Sequence, residues 1–439
     1  MPIFDQWLSD SSSLKYELDQ CTDEGRDITG LKEEIDAIVA IPAGKAREAA
    51  AGVLLDKTIN LPLQADYPHV EPTDLDAIHA VAKGIDDIAF DGDLYDRIYG
   101  GWLGRCAGCL FGKPYEGWRR AKIYNLLKAT DNFPPTHYTS SEGYEDAFAA
   151  LNADPKACWI NNVSYMPEDD DTNYPLIALK LLERKGRDFT SVDVADTWLR
   201  DLPIFHLFTA ERIAYRNLVN LIEPPESGSY HNPCREWIGA QIRADFMGYI
   251  NPGRMTEAAD MAWRDAVVTH VKNGVYGEMM IAAMIAAAFT TTDIRAIIQA
   301  GLDVIPENCR LRAAIDEALS WYDTGISEAE ALERIAIKWN EDNLHEWCHT
   351  ISNAVICVTA LVYGEGDFTH TLSVSLRGAL DTDCNAATVG SILGVMMGAK
   401  ALPAQWVDPL QDTLLSGVDG FGVVKISDMA KRTMVFVEK

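Results

Sequence analysis

Residues 166 to 174 read MPEDDDTNY, so Glu168, Asp169, Asp170 and Asp171 stand in a row, and an apolar segment, YPLIALKLLE, begins at Tyr174. Carboxylates a few ångströms apart repel by roughly 4 kcal/mol per pair at an effective dielectric of 20. Helix capping explains one or two acids, because an Asp at the N-cap and acids in the first turn complement the helix dipole, each worth about 0.3–1 kcal/mol. A run of four exceeds what a cap requires. A second acidic mouth follows far along the chain: residues 378–394 read GALDTDCNAATVGSILG, with Asp381 and Asp383 two apart. The segment after them is apolar nearly all round, the mark of a buried helix. Two acidic helix mouths in buried surroundings need counter-charge, and Arg377 is the obvious base nearby. A hard divalent cation is the economical solution. Ligands that are all oxygen suit magnesium, manganese or calcium, and two ions could share this many carboxylates. Zinc would normally bring His or Cys ligands, and Cys384 is the only one beside these acids. The chain is therefore expected to bring two distant stretches together around a pair of cations.

The rest of the composition narrows the partners. Lys and Arg number 38 against 66 for Asp and Glu, a formal charge of −28 on 439 residues. Such a surface repels phosphate backbones and anionic lipid, so neither nucleic acid nor a membrane is an expected partner. The nine cysteines have no small-domain spacing and mostly apolar neighbours, which reads as reduced thiols in a cytoplasmic protein. The opening MPIFDQWLSD lacks a basic region followed by an apolar core, so no signal peptide is expected. The longest apolar runs, Met279–Phe289 and Val395–Ala399 with its flanks, fall short of the roughly 20 residues that span a bilayer.

Helical spacing dominates the pattern. Residues 1–90 read as a helical N-terminal extension, with LKEEIDAIVA and AREAAAGVLLDK at helical period. The Pro-bearing stretch LPLQADYPHVEPTD is expected to pack on the main body. Residues 91–439 read as helix after helix, and strand-like alternation is confined to GVVKIS and TMVFVEK near the C-terminus. The fold class is all-α, a multi-helix bundle with little or no β structure. Glycines at 100, 104, 108 and 112 give one helix a face almost without side chains. Close helix packing is the plain reading; the face also runs into Lys113-Pro114-Tyr115-Glu116, so it can seat that loop against a site. Arg97 and Arg105 interrupt the segment and exclude a membrane dimer.

Three motifs in order, DRIYGGWLGRCAGCLFGKPYEG (96–117), EDDDTNY (168–174) and LDTDCNAATVGSILGVMMGA (380–399), resemble those of the ADP-ribosylglycohydrolase family, also called the dinitrogenase-reductase-activating-glycohydrolase-like family. The likeness covers roughly Leu94 to Leu402. It implies an all-α orthogonal bundle holding two Mg2+ or Mn2+ ions between the acidic segments. It further implies hydrolysis at the anomeric carbon of an ADP-ribosyl or related ribosyl N- or O-glycoside, on a small molecule or an ADP-ribosylated protein. Carried over by position, Asp170 and Asp171 match one ligand pair, and Asp381 and Asp383 the other. Asp169 falls where a threonine ligand is usual and is counted with the ligands. Cys384 stands at another threonine position, and Cys109 replaces an acid common in the opening motif. We read this DDDT and DTDCN version as a variant subgroup.

For the chemistry, a carboxylate near an activated water acts as general base. Asp170 or Asp171 can do this while ligating, and Glu116 is the candidate outside the acidic clusters. His270 matches a Thr-His segment of relatives; it and Asn385 are the expected substrate-binding residues, although a buried structural histidine is the plainer reading of His270. Arg243, Asp245 and Tyr249 lie in a polar stretch able to line a pocket. HEWCH (345–349) fits the zinc-protease signature, but no third ligand follows at a familiar spacing, and His349 more plainly caps or packs the next helix. Cys106 and Cys109 lack the strand context of a redox pair. Asp169–Asp171 lack the helical spacing of the isoprenoid synthases' Asp-rich motif. The remaining rival is a ribosyl- or nucleotide-binding relative on the same fold without hydrolysis.

Overall fold

The glycine face decides how two long helices meet. In the computed structural model, which describes residues 6–437, helix α1 (Leu94–Gly112) lies antiparallel against helix α6 (Thr382–Met397). A Cβ added to Gly100, Gly104, Gly108 or Gly112 would overlap the carbonyl oxygens of Gly394, Gly390, Ala386 and Thr382 in turn, and one added to Gly390 or Gly394 would strike Gly104 or Gly100. The two backbones therefore touch along their whole shared length. This register puts the C-terminus of α1 beside the N-terminus of α6, so the Lys113–Glu116 turn arrives next to Asp381 and Asp383.

Other helices frame this pair. Helix α2 (Asp170–Lys185) follows the first acidic run, α3 (Lys272–Ala288) carries the longest apolar run, and α4 (Thr350–Gly364) and α5 (Phe368–Gly378) precede the second acidic run. Helix α3 is buried from Asn273 to Ala288 and α6 from Thr382 to Met396, as their all-round apolar sequences require. Helix α2 keeps Pro175 at its sixth residue; the proline cannot donate to the Asp171 carbonyl four residues earlier, and Arg105 Nε donates to that carbonyl at 2.6 Å in its place. The whole is all-α apart from a two-stranded antiparallel ribbon, β1 (Thr413–Leu415) and β2 (Val423–Lys425), with Leu414 opposite Val424. GVVKIS thus supplies a strand. TMVFVEK does not through Val437, and Glu438 and Lys439 lie outside the described residues. Its start closes a helix, Ile426–Met434, in which Ile426, Met429, Ala430 and Thr433 are buried at helical spacing; that periodicity outweighs the β-branched composition.

The first 90 residues hold helices Glu17–Asp23, Leu31–Val39, Lys45–Thr58 and Leu75–Val81. Leu14, Cys21, Leu31, Ile35, Ala51, Leu54 and Leu55 form a small core of their own. A buried ionic seam joins this segment to the body. Arg235 binds Glu17 at 2.9 Å and Glu24 at 2.7 Å. Arg310 binds Glu71 at 2.9 Å and Glu236 at 2.7 Å, and Gln20 donates to Glu236 at 2.8 Å. The Pro-bearing stretch lies on the body: Trp263 donates to the Thr73 carbonyl at 2.8 Å, and Tyr276 donates to that of Pro72.

Candidate active site

Three helix ends converge. Asp169 is the N-cap of α2, its Oδ1 accepting from the Asp171 backbone N–H at 2.9 Å. Asp381 is the N-cap of α6, and its own N–H donates to Asn353 Oδ1 at 3.2 Å. Thr382 donates to the last carbonyl of α1, Gly112, at 3.0 Å, which ties the Lys113–Glu116 turn to the second acidic mouth. Both N-termini direct their positive dipole ends at the carboxylates.

The ligand-type atoms of Cys109, Asp169, Asp171 and Asp383 lie within 4.8 Å of one another, as do those of Asp381, Asp383 and Cys384. Asp383 belongs to both groups. Asp170, half-buried, shares the same field. Burial, then Asp169 and Asp383, push its carboxyl well above the usual range. Burial, then Asp169 and Asp383, also raise Asp171 well above it, although Arg105 works against the rise, and burial, then Asp383 and Glu116, raise Asp381. Asp383 is pushed up to about 6 by burial and Asp169. Glu116 is an exposed residue at the rim, yet its carboxyl is also raised, by Asp383 first, then by burial, Asp169 and Asp170; its contact with water screens part of that repulsion. Most telling are two buried oxygens, Asp171 Oδ2 and Asp383 Oδ1, which have no hydrogen-bond partner. A buried carboxylate oxygen without a donor is costly. A hard cation between them fits both the donor chemistry and the orphaned atoms.

Counter-charge comes from α1 and from the residue that follows it. Arg105, 1% exposed, donates to Asp171 Oδ1 and to Asp245 Oδ2, each at 2.8 Å, and to the backbone carbonyls of Asp171 and Ile242. Lys113 donates to Asp169 Oδ2 at 2.5 Å. The expectation that Arg377 serves here is corrected: it turns outward to Glu328 at 2.5 Å and to the carbonyl of Ser373. Sequence reasoning passed over both true partners. The signal was present, since Arg105 is a charge inside an otherwise apolar, glycine-faced helix, but it served only to exclude a membrane dimer.

The expected substrate binders lie behind the acids. Asn385 is fully buried and donates to Asn353 at 2.8 Å, locking the turn after Asp381. His270 is fully buried too; its Nδ1 bonds Thr269 at 2.6 Å, and its Nε2 lies 3.9 Å from Glu211. Burial and Arg243 hold His270 well below the ordinary histidine range, so it is neutral. The structure groups it with Arg243, Glu211 and Asp265, not with the carboxylates of the two acidic runs. Arg243, Asp245 and Tyr249 are likewise buried and form supporting contacts: Tyr249 shares a bond of 2.6 Å with Ser391 and donates to Asp245 at 3.3 Å.

HEWCH lies in a separate cavity of about 560 Å³, lined by Asp23, Arg310, His345 and His349 among others. His345 Nδ1 accepts from the Trp237 indole at 3.0 Å, and His349 Nδ1 accepts from the Ile351 backbone at 3.1 Å, so His349 caps α4. With Nδ1 accepting, each neutral ring carries its proton on Nε2, the atom nearer Asp23. A ligating histidine needs that lone pair free and usually donates from its other nitrogen, so this trio is a poor zinc site. Cys106 and Cys109 are buried free thiols; burial pushes Cys106 up to about 12 and Cys109 well above the usual thiol value.

The profile of the family described as ADP-ribosylglycohydrolase matches residues 91–435. The chain belongs to the ADP-ribosylglycohydrolase family. That family is one of hydrolases of the glycosidase class. A search of the curated proteins gave no match. Among solved structures, an "ADP-ribosylglycohydrolase-related protein complex" superposes with a TM-score of 0.51 at 17% identity, covering 79% of this chain and 99% of that one. At that identity the likeness speaks to the fold. No helix among the described residues is long and apolar enough to cross a membrane.

Proposed function

We propose that this ADP-ribosylglycohydrolase-family chain is a divalent-cation-dependent glycohydrolase. It cleaves the bond at the anomeric carbon of an ADP-ribosyl or related ribosyl N- or O-glycoside. The observation that carries the reading is the pair of orphaned oxygens, Asp171 Oδ2 and Asp383 Oδ1, inside a buried carboxylate cluster at three converging helix ends. Asp169, Asp170, Asp171, Asp381 and Asp383 are the residues that would hold Mg2+ or Mn2+, two ions by the family resemblance, with Asp383 shared between the two groups of ligand atoms. When bound, such cations supply positive charge that orients sugar hydroxyls and makes a nearby water more acidic.

The chain's own residues supply the rest. Cleavage at a glycosidic carbon passes through an oxocarbenium-like state, which needs a group to move a proton and a negative field to steady the developing cation. Asp170 and Asp171 provide that field. Glu116 stands at the exposed rim in the same field and is the group we assign to proton transfer. Arg105 fixes Asp171 from behind, and Asn353 fixes Asp381 and Asn385. We read His270, fully buried with Thr269 and Glu211, as a structural residue and not as a substrate contact.

A hydrolysis screen of ribosyl and ADP-ribosyl compounds with Mg2+ and Mn2+ tests this, run beside Asp170→Ala, Asp383→Ala and Glu116→Gln. The aspartate variants should lose cation and turnover together. Glu116→Gln should keep the cation and lose about 10²–10⁴-fold in kcat. Full turnover in either aspartate variant refutes that ligand assignment. Ribosyl affinity with no product from the wild type would favour the non-hydrolytic reading, for which Asp169 and Cys384 at the usual threonine positions already speak.

A further inference from the structure

Two neighbouring aspartates in the first acidic run are in opposite condition. Asp171 keeps Oδ2 without a partner. Asp169 has both oxygens engaged: Oδ1 accepts from the Asp171 N–H at 2.9 Å and Oδ2 from Lys113 Nζ at 2.5 Å. The Asp169 side chain is 2% exposed and that of Lys113 23%. The carboxylate is enclosed and the ammonium only partly exposed, so the pair is screened less than one wholly in solvent. The backbone that carries Lys113 is held in place, because the residue before it, Gly112, is pressed against the backbone of Thr382 and Asp383. An ammonium and a metal ion compete for the same carboxylate oxygen. Asp169 adds one negative charge where a hydroxyl is usual, and Lys113 adds one positive charge beside it, so the pair leaves the net charge of the site unchanged.

We infer that Lys113 withholds Asp169 from the cation, so that Asp169 is a helix cap and an ion-pair partner while Asp170, Asp171, Asp381 and Asp383 do the ligating. This rests on the reading of the site as a divalent-cation site and revises its ligand set. Lys113 is then a positioning residue that sets cation affinity without touching the ion.

The test is Mn2+ titration, followed by electron paramagnetic resonance and calorimetry at fixed pH and salt. It uses the wild type, Lys113→Met, the charge-conserving double variant Lys113→Met with Asp169→Asn, and Asp383→Asn as control. Asn caps a helix as well as Asp, and Lys113 is partly exposed, so these variants should fold; circular dichroism checks that. Lys113→Met should bind Mn2+ about tenfold tighter or more, because a carboxylate is freed. The double variant should return to within about threefold of wild type. Asp383→Asn should lose about a hundredfold or more. In Mn2+-soaked wild-type crystals the Lys113–Asp169 pair should stay closed. A double variant as weak as Asp383→Asn, no tightening in Lys113→Met, or Asp169 inside the coordination shell of the wild type overturns the inference. Wild type that binds no Mn2+ and matches Asp383→Asn overturns the cation site itself, a different failure.

Discussion

At the scale of single residues, the site depends on one fully enclosed guanidinium. Arg105 holds Asp171 and Asp245, both buried, and Asp245 in turn is met by Tyr249. Arg105→Gln would leave two buried carboxylates facing each other. Breaking such an arrangement costs about 3–5 kcal/mol, so chemical denaturation should show a loss of that size; a loss under about 1 kcal/mol would mean that the network relaxes without it. The acids of this site were legible in the sequence because carboxylates crowded at helix mouths have few bland explanations. Their partners were not. Arg377 is a few residues from Asp381 along the chain and points away to Glu328. Arg105 and Lys113 are far from Asp171 and Asp169 in sequence and meet them only because α1 ends where α2 begins. Distance along the chain is a weak guide to charge pairing in a bundle of long helices, and pairing then rests on packing that a single sequence does not display.

At the scale of elements, the contact between α1 and α6 carries the geometry. Small residues at every fourth position let the backbones meet, and the antiparallel register sets Gly112 on Thr382. Gly108→Ala would drive a methyl into the Ala386 carbonyl. A clash against backbone has no flexible side chain to yield, so the cost should reach the upper part of the usual 1–3 kcal/mol for overpacking, about 3 kcal/mol, read as a lower thermal midpoint. Cation affinity should fall in the same variant, because parting the helices parts Lys113 and Glu116 from Asp383; unchanged affinity would show that the mouth is held by other contacts. That α1 would pack closely was readable from glycine spacing alone; which helix it would meet, and in what register, was not. The fate of TMVFVEK was not. Its β-branched residues resemble a strand, and only the burial of Ile426, Met429 and Thr433 on one helical face shows why Thr433 and Met434 close a helix.

At the scale of the whole molecule, the N-terminal segment is joined to the body through buried charge. Burial alone would raise Glu24, but Arg235 and Lys272 outweigh it and hold the carboxyl at about 2. Burial is likewise outweighed at Glu236 by Arg310 and Lys272, which hold it well below its ordinary value. A carboxyl whose folded pKa is depressed adds stability above its unfolded value, near 4.5 for Glu24, and loses it as pH falls toward the folded value. The seam should therefore hold at pH 5 and loosen between about pH 4.5 and 2. Pepsin cleavage within residues 17–24, together with loss of the Tyr16–Trp237 ring contact at 5.1 Å followed by tryptophan fluorescence, should precede unfolding of the body. Simultaneous loss of both would show that the acid-sensitive joint lies elsewhere. The helical character of this segment was evident from its periodicity, whereas nothing in the sequence pattern set apart the carboxylates that tie it down, Glu17, Glu24 and Glu71.

The backbone-to-backbone contact of α1 and α6 has one more consequence. Two helices fused carbonyl to glycine cannot slide or swivel past each other, so they act as one stiff rod with Glu116 and Asp383 at its tip. Whatever admits a bulky ligand and then shuts out bulk solvent must be chain beyond that rod, and an insertion of a single residue in either helix has to be matched by another across the joint.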